Sequence, residues 1–223
     1  VVLLIFLWYR TRQKKRLRQY QLQTQITKAQ LNAIRLRLNP HFVFNALSGI
    51  QNLINKNEID NANRYLKRFS RLTRSVLDED FKESISVADE INLLDDYLKM
   101  EQLRFGFQYT IHADELVDME NTEIPSMLVQ PFVENAVKYG VYQKGSEGRI
   151  NIDIVQEDRD IILRVHDNGT GFDTAKEYDG LGIKLSRSRI DLLNTLQKSA
   201  KIILDLNSGD KGTIVSFRLK DWI

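Results

Sequence analysis

Five stretches in the second half of this chain alternate apolar and polar residues with period two, and they restrict its architecture more than any other feature. Phe107, Tyr109 and Ile111 form the first; Ile150, Ile152 and Ile154 the second; Ile161, Leu163 and Val165 the third; Ile202, Leu204 and Leu206 the fourth; Thr213, Val215, Phe217 and Leu219 the fifth. Successive side chains of a strand point to opposite faces, so each stretch has one apolar side. One-sided alternation suits a mixed or antiparallel sheet covered on one face by helices. Two polar residues share the apolar phase: Asp167 follows Leu163 and Val165, and Thr213 leads Val215 and Phe217. His112 and His166 fall on the opposite phase and are expected on the solvent side, with no metal-ligand spacing between them.

The first half reads at helical period. Residues 10–38 are polar and free of Gly and Pro, and Leu22, Ile26, Ala29, Ala33 and Leu36 recur at coiled-coil spacing. Pro40 forces the helix to bend or restart just before His41, with Asn39 a candidate cap. From there to about Asn55, Val43, Leu47, Ile50 and Ile54 form an apolar stripe expected to bury. Arg37, His41, Asn45, Ser48 and Asn52 form a polar row on the other side, facing water or a visiting group. Imidazole near neutral pH keeps a nucleophilic nitrogen, so His41 is either a nucleophile toward a visiting group or a surface histidine beside a kink. Asn57 with Asp60 resembles a cap and its N3 acid. Ile59, Ala62, Leu66, Phe69 and Val76 then mark a second helix. One hairpin cannot bury both stripes, but two copies in a four-helix bundle can. Arg64, Arg68 and Arg71 lie on another face, as a docking surface for an acidic partner or as a solvated face. The pattern changes near Asp78–Ser84, and Ser86 with Asp89 predicts a capped third helix carrying Val87, Ile91, Leu94 and Leu98 and ending by Gly106.

A chain of 223 residues holds one or two domains, and its net charge of +2 does not mark a nucleic-acid binder. No direct contact with nucleic acid is expected. The run Val1–Tyr9 is too short to span a bilayer, which takes about 20 residues. It ends in Trp8-Tyr9 and is followed by Arg10, Arg12, Lys14, Lys15, Arg16 and Arg18, as a membrane helix meets the cytoplasm. Residues 1–9 are therefore expected to be the end of a transmembrane helix. A signal peptide fits less well, because its charge should precede the apolar run. The absence of cysteine excludes a disulfide scaffold.

Four short stretches carry chemistry. In Pro131–Gly140, Val129, Val133 and Val137 point one way along a helix, and Asn135, Lys138 and Tyr139 the other. An amide oxygen ligates a hard cation such as Mg2+, and an ammonium meets phosphate. Gly140 is expected to stop the helix. Glu134 lies beside this set, or pairs with Lys138 at i,i+4. In Asp167-Asn168-Gly169-Thr170-Gly171-Phe172, the strand carries a carboxylate on its buried side, which is costly without a partner, and an exocyclic base amine would supply one. Gly169 and Gly171 permit close approach to a ligand. Gly180-Leu181-Gly182 opens a helix with backbone N–H groups suited to phosphate. Gly212-Thr213 sets a hydroxyl on the core side, as Asp167 sets its carboxylate.

In this order the four stretches resemble the N, G1 and G2 boxes of the GHKL ATPase superfamily with its Bergerat nucleotide fold. Asn39-Pro40-His41-Phe42-Val43-Phe44-Asn45 is similar to the phosphoacceptor box of LytS/YehU-type sensor histidine kinases. The resemblance spans about residues 30–220. It implies an α+β chain: a helical hairpin forming a dimeric four-helix bundle over residues 10–84, then an α/β-sandwich ATP-binding domain over 85–223. It implies ATP and Mg2+ as cofactors. His41 would be the phosphoacceptor, Asn135 the Mg2+ ligand, Lys138 a phosphate contact, and Asp167 the acceptor for the adenine amine. Gly169, Gly171, Gly180 and Gly182 would shape the loops and Thr213 close the adenine site, with Tyr139 and Leu181 at its border. Asn45, one turn from His41, would hold a ring nitrogen. Phe42 occupies the place where many histidine kinases carry an acidic base, so the base for His41 stays open, with Glu134 a candidate. Gyrase-like and Hsp90-like relatives place a water-activating Glu four residues before the Asn; Pro131 stands there, which argues against a plain hydrolase. The expected partners are a second copy, a response regulator of the LytTR type, and the bacterial inner membrane, with this region facing the cytoplasm. A GHKL ATPase and a nucleotide-binding pseudokinase scaffold are the alternatives.

Overall fold

The computed structural model describes residues 10, 12–13, 40–77, 83–172, 181–196 and 201–223. The chain divides into two compact units, Val1–Arg37 and Leu38–Ile223. In the first, Arg10, Arg12 and Gln13 are helical. The expected membrane-helix end at 1–9 and the coiled-coil positions Leu22 to Leu36 lie outside the described residues. Among the described residues, no helix is long and apolar enough to cross a membrane.

The second unit opens with a helical hairpin, α1 (Pro40–Asn55) and α2 (Ile59–Leu77). Pro40 is the first helical residue, where its fixed φ helps and its missing N–H costs nothing. Asn57 corrects the sequence expectation. It does not cap α2 but closes α1, in the left-handed region at φ 60°. Its N–H reaches the Ile54 carbonyl at 2.9 Å and the Glu58 N–H reaches Leu53 at 2.9 Å. Those two bonds make a Schellman turn, in which asparagine is the common substitute for glycine.

The hairpin also divides its apolar residues differently from the predicted stripes. Ala46 and Leu53 of α1 bury against Ala62, Tyr65 and Leu72 of α2, with Ile50 and Phe69 partly covered. Leu47 and Ile54, from the first predicted stripe, and Ile59 and Leu66, from the second, are about half exposed, as is most of Phe44. Both helices carry apolar residues on more than one face, and the intrachain groove takes only one set. Arg68 and Arg71 are not free for an acidic partner, because both meet Asp96 of the next helix, at 3.6 Å and 2.9 Å. Arg64 turns back onto its own helix and donates to Asn61 at 3.1 Å.

Strand β1 (Ser84–Ser86) leads into α3 (Val87–Phe105). The Ser86 hydroxyl accepts from the Asp89 N–H at 3.0 Å, and Gly106 closes the helix at φ 75°, as the capping pattern predicts. β1 pairs antiparallel with β3 (Glu123–Pro125), a small two-stranded sheet the alternation did not reveal. The five alternating stretches become β2 (Gln108–Ala113), β4 (Arg149–Glu157), β5 (Asp160–Asp167), β6 (Lys201–Gly209) and β7 (Gly212–Lys220). They form one sheet in the order β2-β4-β5-β7-β6, with β2 parallel to β4 and the other pairs antiparallel.

Helices α4 (Gln130–Asn135) and α5 (Leu181–Leu196) belong to the layer that covers the sheet. The core between helices and sheet holds Leu94, Leu98, Phe132, Val133 and Val137 with Ile150, Ile152, Leu163, Val165 and Phe217. Phe132 meets Phe217 edge to face at 5.1 Å. The result is an α+β chain: a helical hairpin, then an α/β sandwich. His112 is exposed and His166 half-buried, on the solvent side as expected.

Candidate functional site

Asp167 ends β5, with Ile150 of β4 and Thr213 of β7 as its cross-strand neighbours. It is 5% exposed, a carboxylate placed on the apolar side of a sheet. Its Oδ1 accepts from the Gly169 N–H at 2.8 Å. Burial pushes its carboxyl above the usual range, while the Gly169 and Thr213 backbone bonds and the charges of His166 and Lys144 pull it back.

Glycines make this placement possible. A Cβ at Gly140 would stand 2.6 Å from the Asp167 Cγ, and one at Gly169 would stand 2.6 Å from the Gly140 Cα. Asp167 is thus held between two residues that have no side chain. Gly171 has φ 62° and would drive a Cβ into the Gly209 carbonyl; Gly212, at φ 114°, would drive one into the Asp167 carbonyl. Two G1-loop glycines and the β6–β7 turn therefore close around one carboxylate.

Gly140 departs from expectation. It does not stop a helix: α4 runs into a π-helical turn, Ala136–Val141, and Gly140 lies inside it. A π turn is a local insertion that is frequent at functional sites. Its value here is the close approach to Asp167. Val129, Val133 and Val137 are buried, as predicted. Asn135 ends α4 half-buried, while Lys138 and Tyr139 are exposed, the Lys138 Nζ lying 4.8 Å from the Tyr139 ring centre.

Glu134 does not pair with Lys138 among the described residues. Its Oε1 accepts from Gln130 at 3.1 Å. Burial raises its carboxyl above the usual range and Glu101 raises it further, against the bond from Gln130 and the charge of Lys138.

Thr213 is half-buried, and its hydroxyl lies 2.8 Å from the Ser208 hydroxyl. Ser208 in turn accepts from the Phe172 N–H at 2.8 Å, joining the G1 loop to the β6–β7 hairpin. Sequence reading missed Ser208, although extending the Ile202-Leu204-Leu206 alternation by one step reaches it. It also missed Asn168, whose side chain accepts from the Arg149 N–H at 2.8 Å and donates to the Glu147 carbonyl at 2.8 Å. Asn168 braces the loop from below.

Asp167, Gly169, Gly171 and Thr213 are thus brought together, with Gly140 as an unforeseen neighbour. Leu181 and Gly182 open α5, whereas Gly180 lies outside the described residues. His41 and Asn45 lie one turn apart on α1, and their side chains lie outside the described ones. Among the described residues no three His, Cys, Asp or Glu cluster as a metal site. Asn135, at the end of α4, offers an amide oxygen, a donor of the kind a hard cation accepts.

A mixed sheet with one face covered and a glycine-walled aspartate at a strand end is the frame of a nucleotide-binding sandwich. Comparison with known proteins agrees. Residues 121–223 match the family "Histidine kinase-, DNA gyrase B-, and HSP90-like ATPase", and residues 29–109 match the family "Histidine kinase". The chain belongs to the sensor histidine kinases of the LytS type. It is 36% identical over 175 residues to sensor histidine kinase YpdA of Escherichia coli, covering 78% of this chain and 30% of that protein. It is 29% identical over 210 residues to sensor protein LytS of Bacillus subtilis, covering 89% of this chain and 35% of that protein. The chain spans about a third of the length of these relatives. The histidine kinase domain of the Erythrobacter litoralis blue-light activated histidine kinase shares the fold, with a TM-score of 0.50 at 16% identity over 91% of this chain and 96% of that one.

Proposed function

We propose that this chain is the kinase part of a membrane-anchored, dimeric sensor histidine kinase. It binds ATP with Mg2+, transfers the γ-phosphoryl group to a ring nitrogen of His41, and passes it to an aspartate of a response regulator, of the LytTR type. One observation carries the reading: the buried Asp167 carboxylate, clamped between Gly140 and Gly169 and opposite Thr213. A carboxylate placed so needs a donor to repay its burial, and the adenine amine is one.

The roles follow from that placement and from the family motifs. Asp167 reads the base, and Thr213 closes that end of the site. Gly169, Gly171, Gly180 and Gly182 leave room for the nucleotide, with Leu181 and Tyr139 at its border. Asn135 holds Mg2+, and Lys138 meets phosphate. The metal supplies neutralisation of charge on the phosphates. Everything else is positioning: the chain brings the γ-phosphorus in line with the His41 nitrogen, whose orientation Asn45 sets through the other ring nitrogen. The lone pair of the attacking nitrogen forms the N–P bond, and the bond to the β,γ-bridging oxygen breaks. ADP leaves with that electron pair, and the ring gives up its N–H proton. Glu134, which accepts from Gln130 rather than pairing with Lys138, is the candidate to take it. We assign residues 1–9 to the end of a membrane helix, 10–84 to dimerisation and phosphotransfer, and 85–223 to ATP binding, with the kinase region facing the cytoplasm.

Incubation with γ-labelled ATP tests this. Acid-labile, alkali-stable label on the protein is the expected result. Steady phosphate release without label would favour the ATPase reading, and nucleotide binding with neither would favour a scaffold.

A further inference from the structure

The tight turn that launches α4 is held from both sides by buried charge. Met127 sits in this turn at φ 55°, a left-handed conformation that is strained for a residue with a side chain. Helix α4 has six residues, too few to hold itself, and Val129 at its N-cap offers no side-chain bond. Glu90 of α3, 3% exposed, supplies what is missing. One carboxylate oxygen accepts from the Met127 N–H at 3.0 Å and the other from the Val129 N–H at 3.1 Å. On the opposite side stands Arg189 of α5, 7% exposed. Its Nη1 donates to the Met127 carbonyl at 2.9 Å and its Nη2 to the Ser126 carbonyl. The donors and acceptors of one turn are thus gripped by an acid from one helix and a base from another.

The three elements so joined are not arbitrary. α3 packs on the hairpin through Asp96 and its two arginines. α4 ends in Asn135, six residues beyond Val129. α5 begins at Leu181-Gly182, the described part of the phosphate loop. Asp167 and Thr213, by contrast, take their positions from the sheet ladder, and Gly140, which lies against Asp167, is where the α4 side joins the base pocket.

We propose that Glu90 and Arg189 are positioning residues for the metal end of the nucleotide site: by gripping the Ser126–Val129 turn they set where Asn135 stands relative to the start of α5. The proposal rests on the reading of Asn135 as the Mg2+ ligand. Its consequence is selective. Loosening the grip displaces the metal ligand more than the base pocket, whose carboxylate and hydroxyl are held on β5 and β7. Partners that orient a metal ligand are commonly worth about 10–100-fold in metal affinity.

The test is calorimetric titration of ATP into the full chain, in EDTA and in excess Mg2+, for wild type, Arg189→Lys and Glu90→Gln. Both variants keep side-chain size, and Arg189→Lys keeps charge but loses the fork that spans two carbonyls. Binding in EDTA should stay within about three-fold of wild type in both, and the gain from Mg2+ should fall by about 10-fold or more. Melting temperatures taken alongside report the fold. A variant that retains the full Mg2+ gain overturns the proposal. So does one that loses both affinities together or fails to fold, since the pair would then be structural only. A wild-type chain that binds ATP without any Mg2+ gain overturns the reading of Asn135 instead. One that binds no ATP at all overturns the nucleotide site.

Discussion

The hairpin and the sandwich use burial in opposite ways. In the hairpin, Phe44, Leu47, Ile54, Ile59 and Leu66 stay about half exposed or more, while Ala46, Leu53, Ala62, Tyr65 and Leu72 are buried. The sandwich buries Ile150, Ile152, Leu163, Val165 and Phe217 on the inner side of its sheet, leaves Leu116, Tyr139 and Tyr142 exposed at its surface, and sets Glu90, Asp167 and Arg189 in its core. Exposed apolar side chains on two adjacent helices await another surface. Buried charges in a finished core are costly unless they are bonded, and here they hold turns and loops in place. The difference teaches that the two regions place their apolar and charged residues by different rules: the hairpin leaves apolar side chains on its surface, and the sandwich sets bonded charges in its core. Each prediction below pulls on one region and watches the other.

The largest effect is expected from His41→Gln. Labelling from γ-labelled ATP should fall to background while ATP affinity, measured by titration, stays as it was. Label that survives would show that the phosphoryl acceptor is elsewhere, and would turn attention to His112 and His166. Asp167→Asn pulls on the other region. Losing a charge-assisted hydrogen bond costs about 1.5–3 kcal/mol, or roughly 10–100-fold in ATP affinity. The same change should alter stability with the opposite sign. A carboxyl raised by burial binds its proton more readily folded than unfolded. Its contribution to stability is therefore full at acid pH and is lost as pH rises through the raised value. The asparagine variant lacks that loss, so without nucleotide it should gain stability relative to wild type as pH rises from 4 to 8. Thermal melts across that range would refute the assignment if the gap between the two proteins stayed constant.

A smaller effect is expected on the hairpin surface. Leu66→Ala removes about three buried carbons per chain from a dimer contact, enough to raise the dissociation constant roughly 10-fold or more. Light scattering over a concentration series reports it, and a wild-type chain that is monomeric at high micromolar concentration would remove the four-helix bundle. The smallest effect belongs to Arg71→Ala. The Arg71 side chain is mostly exposed and Arg68 remains beside Asp96, so the loss should be within about 1 kcal/mol in urea unfolding.

The sandwich was the more legible region in the sequence. Period two named every strand of the large sheet, and the phase of Asp167 and Thr213 placed both on its inner side, because a strand has only two faces. What the alternation could not reveal lies between elements. Gly140 meets Asp167 only after a π turn, which departs from the 100° step on which a helical wheel depends. β1 and β3 are three residues each, too short to alternate. Glu90 and Arg189 are 99 residues apart in sequence and meet across a turn, and nothing local marks them. The hairpin was less legible for a different reason. A helix that is apolar on two sides has two candidate inner faces, and one chain alone does not say which of them it will cover. Asn57 failed in a third way: asparagine both starts helices and ends them, and only the backbone angle decides.

The π turn at Ala136–Val141 also sets a reading frame. It arises as one extra residue in what would be an α-helix, so removing a single residue downstream of Asn135 would restore regular winding. The residues beyond the deletion would keep their course, but the wide turn that carries Gly140 to the Asp167 carboxylate would be gone, and with it the close approach of a residue without a side chain. The spacing from the amide to the glycine is therefore a fixed count. Substitution at the exposed positions 138 and 139 leaves that count unchanged, whereas insertion or deletion anywhere between 135 and 140 destroys it.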